Sequence, residues 1–298
     1  MAYVNPLIAK WQSGKPTFGA WLTTPDPSIA ERIASLGYDE VCADQQHSNI
    51  SVDSLSGIFQ AVAGRGSSPT TRVPFNDYTA IGKSLDLGAL AVIIPMVNNA
   101  AEAARAVAAF RYPPRGTRSA GPVRSPWVMG GDPRDLERAA VVCMVETKDG
   151  LANVDEIAST PGVDAIYIGP GDLALALGMG WSSDVRSASE NEAHAAAVEH
   201  VRRTCEKHGV TPGIHVSEGP LSAKYVEQGF RMITVSADIG LIIMGGMADL
   251  ALVRAAKVPA RSTARSTATA SGRSTARKAD AKAPAKASAK TQAPKKKR

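Results

Sequence analysis

Glu146 and Asp172 stand 26 residues apart, about one strand–helix unit, and each closes a short apolar run. That spacing puts two carboxylates on neighbouring strand ends, aimed at one point. Two such acids repel each other unless a proton or a cation comes between them. An all-oxygen pair suits a hard divalent ion, Mg2+ or Mn2+, with positions left open for water and substrate oxygens. The competing reading makes both acids helix N-caps or loop ion-pair partners.

Arg72 falls inside a short predicted strand, where burying a guanidinium is costly unless it meets an anion. Its planar fork suits a substrate carboxylate or a developing enolate oxygen. A structural salt bridge to Asp44 or Asp77 is the alternative. His47 follows Asp44 by three residues at the end of an early strand. A neutral imidazole there could take a proton from a substrate hydroxyl or a bound water, and a structural role competes with that one. His194, His200 and His208 share one polar helix and its end, so they read as solvated. His215 ends a later strand and reads as a packed histidine at the edge of the same mouth. The turn Gly169-Pro170-Gly171 is small enough for backbone N–H groups to approach a ligand carboxylate.

These residues need a frame that gathers strand ends. Eight short runs, rich in Val and Ile, occur at 19–23, 40–44, 70–74, 91–97, 141–146, 165–169, 212–216 and 232–236. They are near-continuous rather than alternating, as parallel strands buried on both faces tend to be. Helical patterns follow them at 28–36, 52–63, 78–87, 100–110, 151–159, 190–207, 221–227 and 241–256, several closed by glycine. Repeated strand–helix alternation leaves a closed barrel or a doubly wound sheet. The first turn reads Thr-Thr-Pro-Asp-Pro-Ser, without the G-x-G-x-x-G of a dinucleotide-binding sheet, so a (β/α)8 TIM barrel over residues 1–257 is expected. In that fold the chemistry sits at the C-terminal ends of the strands.

Composition separates two objects. The 298 residues are 44% hydrophobic and 21% charged, which predicts a sizeable core, yet the net charge is +6. Residues 259–298 hold 12 Lys plus Arg against one acid, Asp280, leaving 22 basic and 27 acidic residues before them. A mildly acidic body therefore carries a basic tail. The tail, 258–298, repeats Ala, Ser, Thr, Lys and Arg with nothing to bury and is expected to be disordered. It could solvate the chain, or bind nucleic acid or another polyanion non-specifically, since it has no aromatic ring to stack on bases. No apolar run approaches the roughly 18 residues that span a bilayer, and the N-terminus does not read as a secretory signal. Three scattered cysteines suit a reducing cytoplasm, and Cys42 and Cys143, inside apolar runs, read as small core residues rather than nucleophiles.

Read together and in order, several motifs resemble the HpcH/HpaI aldolase family, the metal-dependent pyruvate aldolases of the phosphoenolpyruvate/pyruvate barrel superfamily. They are Gly19-Ala-Trp-Leu22, Asp44-x-x-His47, Arg72-Val-Pro-x-Asn76-Asp77, Leu85-Asp86-x-Gly88 and Pro95-Met96-Val97-x-Asn99. Arg111-Tyr-Pro-Pro-x-Gly-x-Arg118, Val145-Glu146-Thr147 and Ile168-Gly-Pro-x-Asp172-Leu173 complete the set, which covers about residues 5–255. The resemblance implies that Glu146 and Asp172 ligate a divalent metal, Mg2+ or Mn2+, with Co2+ and Zn2+ as alternatives. It implies that Arg72 stabilises an enolate and that His47 is the acid/base, its basicity raised by Asp86, which a neighbouring subunit could supply. Asp44 would support the strand-two end, and Gly171, Asp172, Arg72 and Gln46 would meet the substrate. It implies a hexamer, a 2-oxoacid donor and an aldehyde acceptor.

Two departures bear on the substrate. The family often has Asp-x-Glu-His where Gln46 precedes His47, and often has Gln where Met144 stands two residues before Glu146. A branch with Asp-x-Gln-His and Arg-Ser-x-Gly-Pro is most similar (compare Arg118-Ser119-Ala120-Gly121-Pro122), with pyruvate or hydroxypyruvate as donor. The competing readings are a citrate-lyase-β-like acyl-CoA lyase on the same barrel and an inactive barrel with a polyanion-binding tail.

Overall fold

Eight parallel strands pair in chain order and close on themselves, β1 against β8. They are β1 (Thr17–Leu22), β2 (Glu40–Asp44), β3 (Ser68–Arg72), β4 (Ala91–Ile94), β5 (Ala140–Val145), β6 (Ala165–Ile168), β7 (Thr211–His215) and β8 (Met232–Ala237). The expected (β/α)8 TIM barrel is the fold of this computed structural model, which describes residues 3–180 and 188–257. Residues Met1–Arg254 form one compact unit. The predicted basic tail lies outside the described residues.

Alternation along the strands sorts side chains into two cores. Trp21, Cys42, Ile93, Val142, Met144, Tyr167 and Met232 point to the barrel axis and form one cluster. Leu22, Val41, Val92, Val141, Cys143, Val145, Ile168 and Ile233 point outward and pack under the helices. A period of two explains both, because successive Cβ atoms leave opposite faces of a strand. It also explains why the strands read as unbroken apolar runs. The strand β3, Ser-Pro-Thr-Thr-Arg, is the polar exception and is wholly buried. Its cost is met locally: Thr71 donates to the Ala43 carbonyl at 2.7 Å and Arg72 reaches Asp44. This strand begins two residues earlier than predicted and ends at Arg72, so Val73 turns into the outer core.

Helix Pro6–Gln12, not predicted, closes the N-terminal end of the barrel with Leu7 and Trp11, and Asn5 caps it. The helix predicted at 151–159 is two short ones, Lys148–Ala152 and Val154–Ala158. Asn153 interrupts them, donating its side chain to the Asn98 carbonyl at 2.8 Å. The three cysteines are free, Cys42 and Cys143 are buried as expected and Cys205 is buried as well; burial pushes the Cys143 and Cys205 thiols up to about 12.

The last predicted helix forms as Asp238–Ala255, but only Asp238 on it is buried. Ile242, Ile243, Met244, Met247, Leu252 and Val253 all stand more than half exposed. Among the described residues, no helix is long and apolar enough to cross a membrane.

Candidate active site

The inward parity of β5 runs Ala140, Val142, Met144 and, one step past the strand, Glu146, which therefore turns into the barrel mouth. Glu146 is buried. Its Oε1 accepts the Met96 backbone N–H at 2.9 Å, an N–H aimed there by a left-handed φ of 55° at Met96. Its Oε2 is buried without a hydrogen-bond partner among the described residues. Burial pushes the Glu146 carboxyl up to about 7, and the neighbouring Asp172 adds to the rise, against the Met96 bond and the charge of Arg72.

Asp172 lies in the first turn of helix Pro170–Ala176, a segment that the sequence suggested only as a tight turn. The backbone carrying it passes directly over Glu146. A Cβ placed on Gly169 would overlap Glu146 Oε2 and stand 2.6 Å from the Met144 Cε. Glycine there leaves the Glu146 carboxylate its present position beside Asp172, which a larger residue would make it give up. Gly171 lines the same cavity, and a side chain on it would touch nothing within 4 Å.

The two acids fit a divalent ion. They are adjacent oxygen donors, one buried with an oxygen that has no hydrogen-bond partner among the described residues. Among the described residues, no group of three or more His, Cys, Asp or Glu side chains is set to hold a metal. A hard ion held by Glu146 and Asp172 alone would keep positions for water and substrate.

Arg72 and Asp44, register partners across β2 and β3, form a buried fork: Nε to Oδ1 at 2.9 Å and Nη2 to Oδ2 at 2.7 Å. The salt-bridge alternative for Arg72 is thus present, and it leaves the guanidinium in the mouth. Its Cζ stands 5.0 Å from the Trp21 ring centre. Burial works to raise the Asp44 carboxyl, but the Arg72 hydrogen bonds and charge outweigh it and hold the group below its ordinary value. The same pair keeps Arg72 above its ordinary value against the effect of burial. Gln46 donates its backbone N–H to Asp44 Oδ1 at 3.0 Å, and its side-chain Oε1 is buried without a partner.

A cavity of about 250 Å3 is lined by Trp21, Arg72, Met144, Pro170, Asp172 and His215, with Gly169 and Gly171. Residue placement is uneven beyond it. His47 is exposed in the segment after β2 and does not line the cavity. Asp86 ends helix Tyr78–Asp86, and within one chain its carboxylate pairs with Arg118 at 3.1 Å. Arg118 is itself buried, donates to the Leu136 carbonyl at 2.7 Å and covers the Tyr112 ring.

Two histidines differ from expectation. His194, read as solvated, is fully buried, and its Nε2 lies 3.1 Å from the Pro170 carbonyl, bracing the turn that carries Asp172. Its signal is in the spacing: Ala197, Val198 and Val201, three, four and seven residues on, form the buried face of helix Glu192–His208. His208 also departs from it, being partly covered and 3.1 Å from Asp155. His215 lines the mouth, packed edge-on against Trp21 with ring centres 4.7 Å apart. Burial, and then the charge of Arg72, push its imidazole down to about 4.

The family model for HpcH/HpaI aldolase/citrate lyase matches residues 17–244. A hydroxypyruvate/pyruvate aldolase of Rhizorhabdus wittichii is 35% identical over 254 residues, covering 85% of this chain and all of that one. A 4-hydroxy-2-oxo-heptane-1,7-dioate aldolase of Salmonella paratyphi C is 34% identical over 247 residues, covering 80% of this chain and 90% of that one. Among solved structures, an HpcH/HpaI aldolase/citrate lyase family protein from Burkholderia cenocepacia superposes with a TM-score of 0.76. It is 32% identical, covering 84% of this chain and 100% of that one. With the family model matching most of the barrel and relatives of 34–35% identity covering at least 80% of the chain, the chain belongs to the HpcH/HpaI aldolase/citrate lyase family.

Proposed function

We propose that this chain is a divalent-metal-dependent aldolase that joins or cleaves a carbon–carbon bond between a 2-oxoacid donor, pyruvate or hydroxypyruvate, and an aldehyde. The observation that carries the reading is the buried Oε2 of Glu146, without a hydrogen-bond partner among the described residues, beside an Asp172 that lines one small cavity together with Arg72. In the cleavage direction the C3–C4 bond of a 4-hydroxy-2-oxoacid breaks, and its electron pair stays on C3 as an enolate. The C4 hydroxyl loses its proton and leaves as the aldehyde, and C3 then takes up a proton. A divalent ion, Mg2+ or Mn2+, held by Glu146 and Asp172 supplies Lewis-acid stabilisation of the enolate charge.

Arg72, preset by its fork to Asp44, presents its guanidinium to that charge, so little reorganisation accompanies bond cleavage. Trp21 and Met144 keep the reacting carbon away from bulk water. His47, at the rim after β2, moves the hydroxyl proton. Asp86 supports that imidazole from a neighbouring copy, because in its own chain it is turned to Arg118.

A homo-oligomer, a hexamer by resemblance, is part of this reading. The apolar helix Asp238–Ala255 is uncovered in the single chain. An apolar groove of about 620 Å3, lined by Phe18, Leu36, Tyr38, Val226 and Val235, also lies open. The helix of a second copy in that groove would cover both. The free, buried cysteines support a reducing cytoplasm, and the charge of the tail supports salt-sensitive contact with polyanions.

Retro-aldol turnover of a 4-hydroxy-2-oxoacid, before and after removal of divalent ions, tests the proposal. Activity should vanish on chelation and return with Mg2+ or Mn2+. Undiminished turnover in the chelated protein, or turnover of an acyl-CoA thioester alone, would overturn it.

A further inference from the structure

Four polar side chains line the mouth cavity: Trp21, Arg72, Asp172 and His215. Three are committed. Arg72 places Nε and Nη2 on Asp44, the Trp21 indole supports the same carboxylate, and Asp172 stands with Glu146. His215 is not committed. Its Nε2 lies 3.1 Å from Ser217 Oγ, while its Nδ1 has no hydrogen-bond partner among the described residues.

The ring is held from two sides. Trp21 packs against it at an interplanar angle of 81°. Ser217, in a left-handed conformation with φ 60°, is tied to β8 through its N–H to the Thr234 carbonyl at 3.1 Å. Burial and the nearby guanidinium keep the imidazole neutral at ordinary pH. A neutral imidazole has one nitrogen that donates and one that accepts. A hydroxyl can answer either, whereas a methyl group satisfies neither.

We propose that His215 selects the donor, its Nδ1 holding the C3 hydroxyl of a hydroxypyruvate-class 2-oxoacid in preference to the methyl of pyruvate. The assignment rests on the 2-oxoacid reading of the cavity. It involves no proton transfer by His215. The side chain orients the substrate, and the preference belongs to binding and to the transition state alike. Met144, another side-chain wall of the cavity, has no hydrogen-bond donor with which to tell a hydroxyl from a methyl.

The test compares wild type, His215→Leu and His215→Asn, each loaded with Mn2+. Asparagine places an amide where Nδ1 stands, and leucine keeps the bulk against Trp21 without a polar atom. Two quantities are read: kcat/KM for hydroxypyruvate and for pyruvate with one common aldehyde, and the Kd of each 2-oxoacid by calorimetry without aldehyde. The hydroxypyruvate-to-pyruvate ratio should fall about tenfold in His215→Leu, in turnover and in binding, and recover in His215→Asn. An unchanged ratio in His215→Leu, or an equal loss for both donors, would overturn the assignment. Failure of wild type to turn over either donor would remove the aldolase reading instead. The calorimetric ratio would then still decide whether His215 recognises the hydroxyl.

Discussion

Gly169 and Glu146 are fitted to each other: the bare α-carbon of Gly169 lies where only a hydrogen leaves room for the Glu146 carboxylate. The buried Oε2 has no hydrogen-bond partner among the described residues, so the Met96 bond to Oε1 and the fit against Gly169 place it together. The consequence is that the acid pair depends on a residue with no functional group.

Gly169→Ala should therefore displace the Glu146 carboxylate or push the Asp172 turn outward. The expected cost is about 1–3 kcal/mol in stability, from overpacking. A displacement on the order of 1 Å should lower kcat by roughly 100-fold. Equilibrium unfolding, Mn2+ affinity and steady-state kinetics check this. Wild-type Mn2+ affinity in the variant would show that the turn does not position the acids.

Arg72 and Asp44 make a prediction with two halves. Arg72→Ala strands a buried carboxylate, which costs about 3–5 kcal/mol when one partner of such a pair is removed. Adding Asp44→Asn should restore most of the stability, because no unpaired charge remains. Activity should stay about 100-fold or more below wild type in both, as expected when a donor aimed at developing charge is lost. Recovery of kcat alongside stability would make the fork structural only.

A pH effect follows from Glu40, which no step of the reaction uses. It is buried at the N-terminal end of the barrel, with Oε1 3.4 Å from Thr17 Oγ1 and Oε2 unpaired. Burial pushes its carboxyl up to about 7, with Asp39 adding to the rise and Thr17 and Thr70 opposing it. The folded chain therefore holds a proton that the unfolded chain releases near 4.5. This contribution to stability is present below pH 4.5 and is lost as pH rises through about 7. Glu40→Gln should gain on the order of 2 kcal/mol relative to wild type between pH 5 and pH 8. Parallel stability curves for the two proteins over that range would refute the burial argument.

The uncovered final helix predicts assembly. Ile242→Asp with Leu250→Asp alters side chains that are more than half exposed in the single chain, so the fold should persist. Sedimentation should show a multimer for wild type and smaller species for the double variant. Loss of activity with loss of assembly would support the supply of Asp86 from another copy. A monomeric, fully active wild type would exclude it.

Much of the fold was legible because a barrel strand is buried on both faces and so reads as an apolar run. The strand β3 was legible only in part, since its Thr71 and Arg72 are satisfied by Ala43 and Asp44, both on the neighbouring strand. His194 was misread from the polar residues around it in a helix, although the three, four and seven spacing marked its buried face. Helix Pro170–Ala176 was hidden by its own small residues. The partner of Asp86 was not legible, because Arg118 reaches it from a separate segment.

The sequence by itself determined which residue types lie at the ends of strands, and so which chemistry was available: two acids, one arginine and small residues at the turn between them. Strand periodicity carries that much, because parity follows from covalent geometry. Only the tertiary structure decided which of those groups meet. Closure of the barrel sets Trp21 from β1 against His215 from β7 and leaves His47 on the rim. Those contacts depend on angles accumulated around eight strands and on whether a carboxylate finds its partner in its own chain, and no local spacing encodes either.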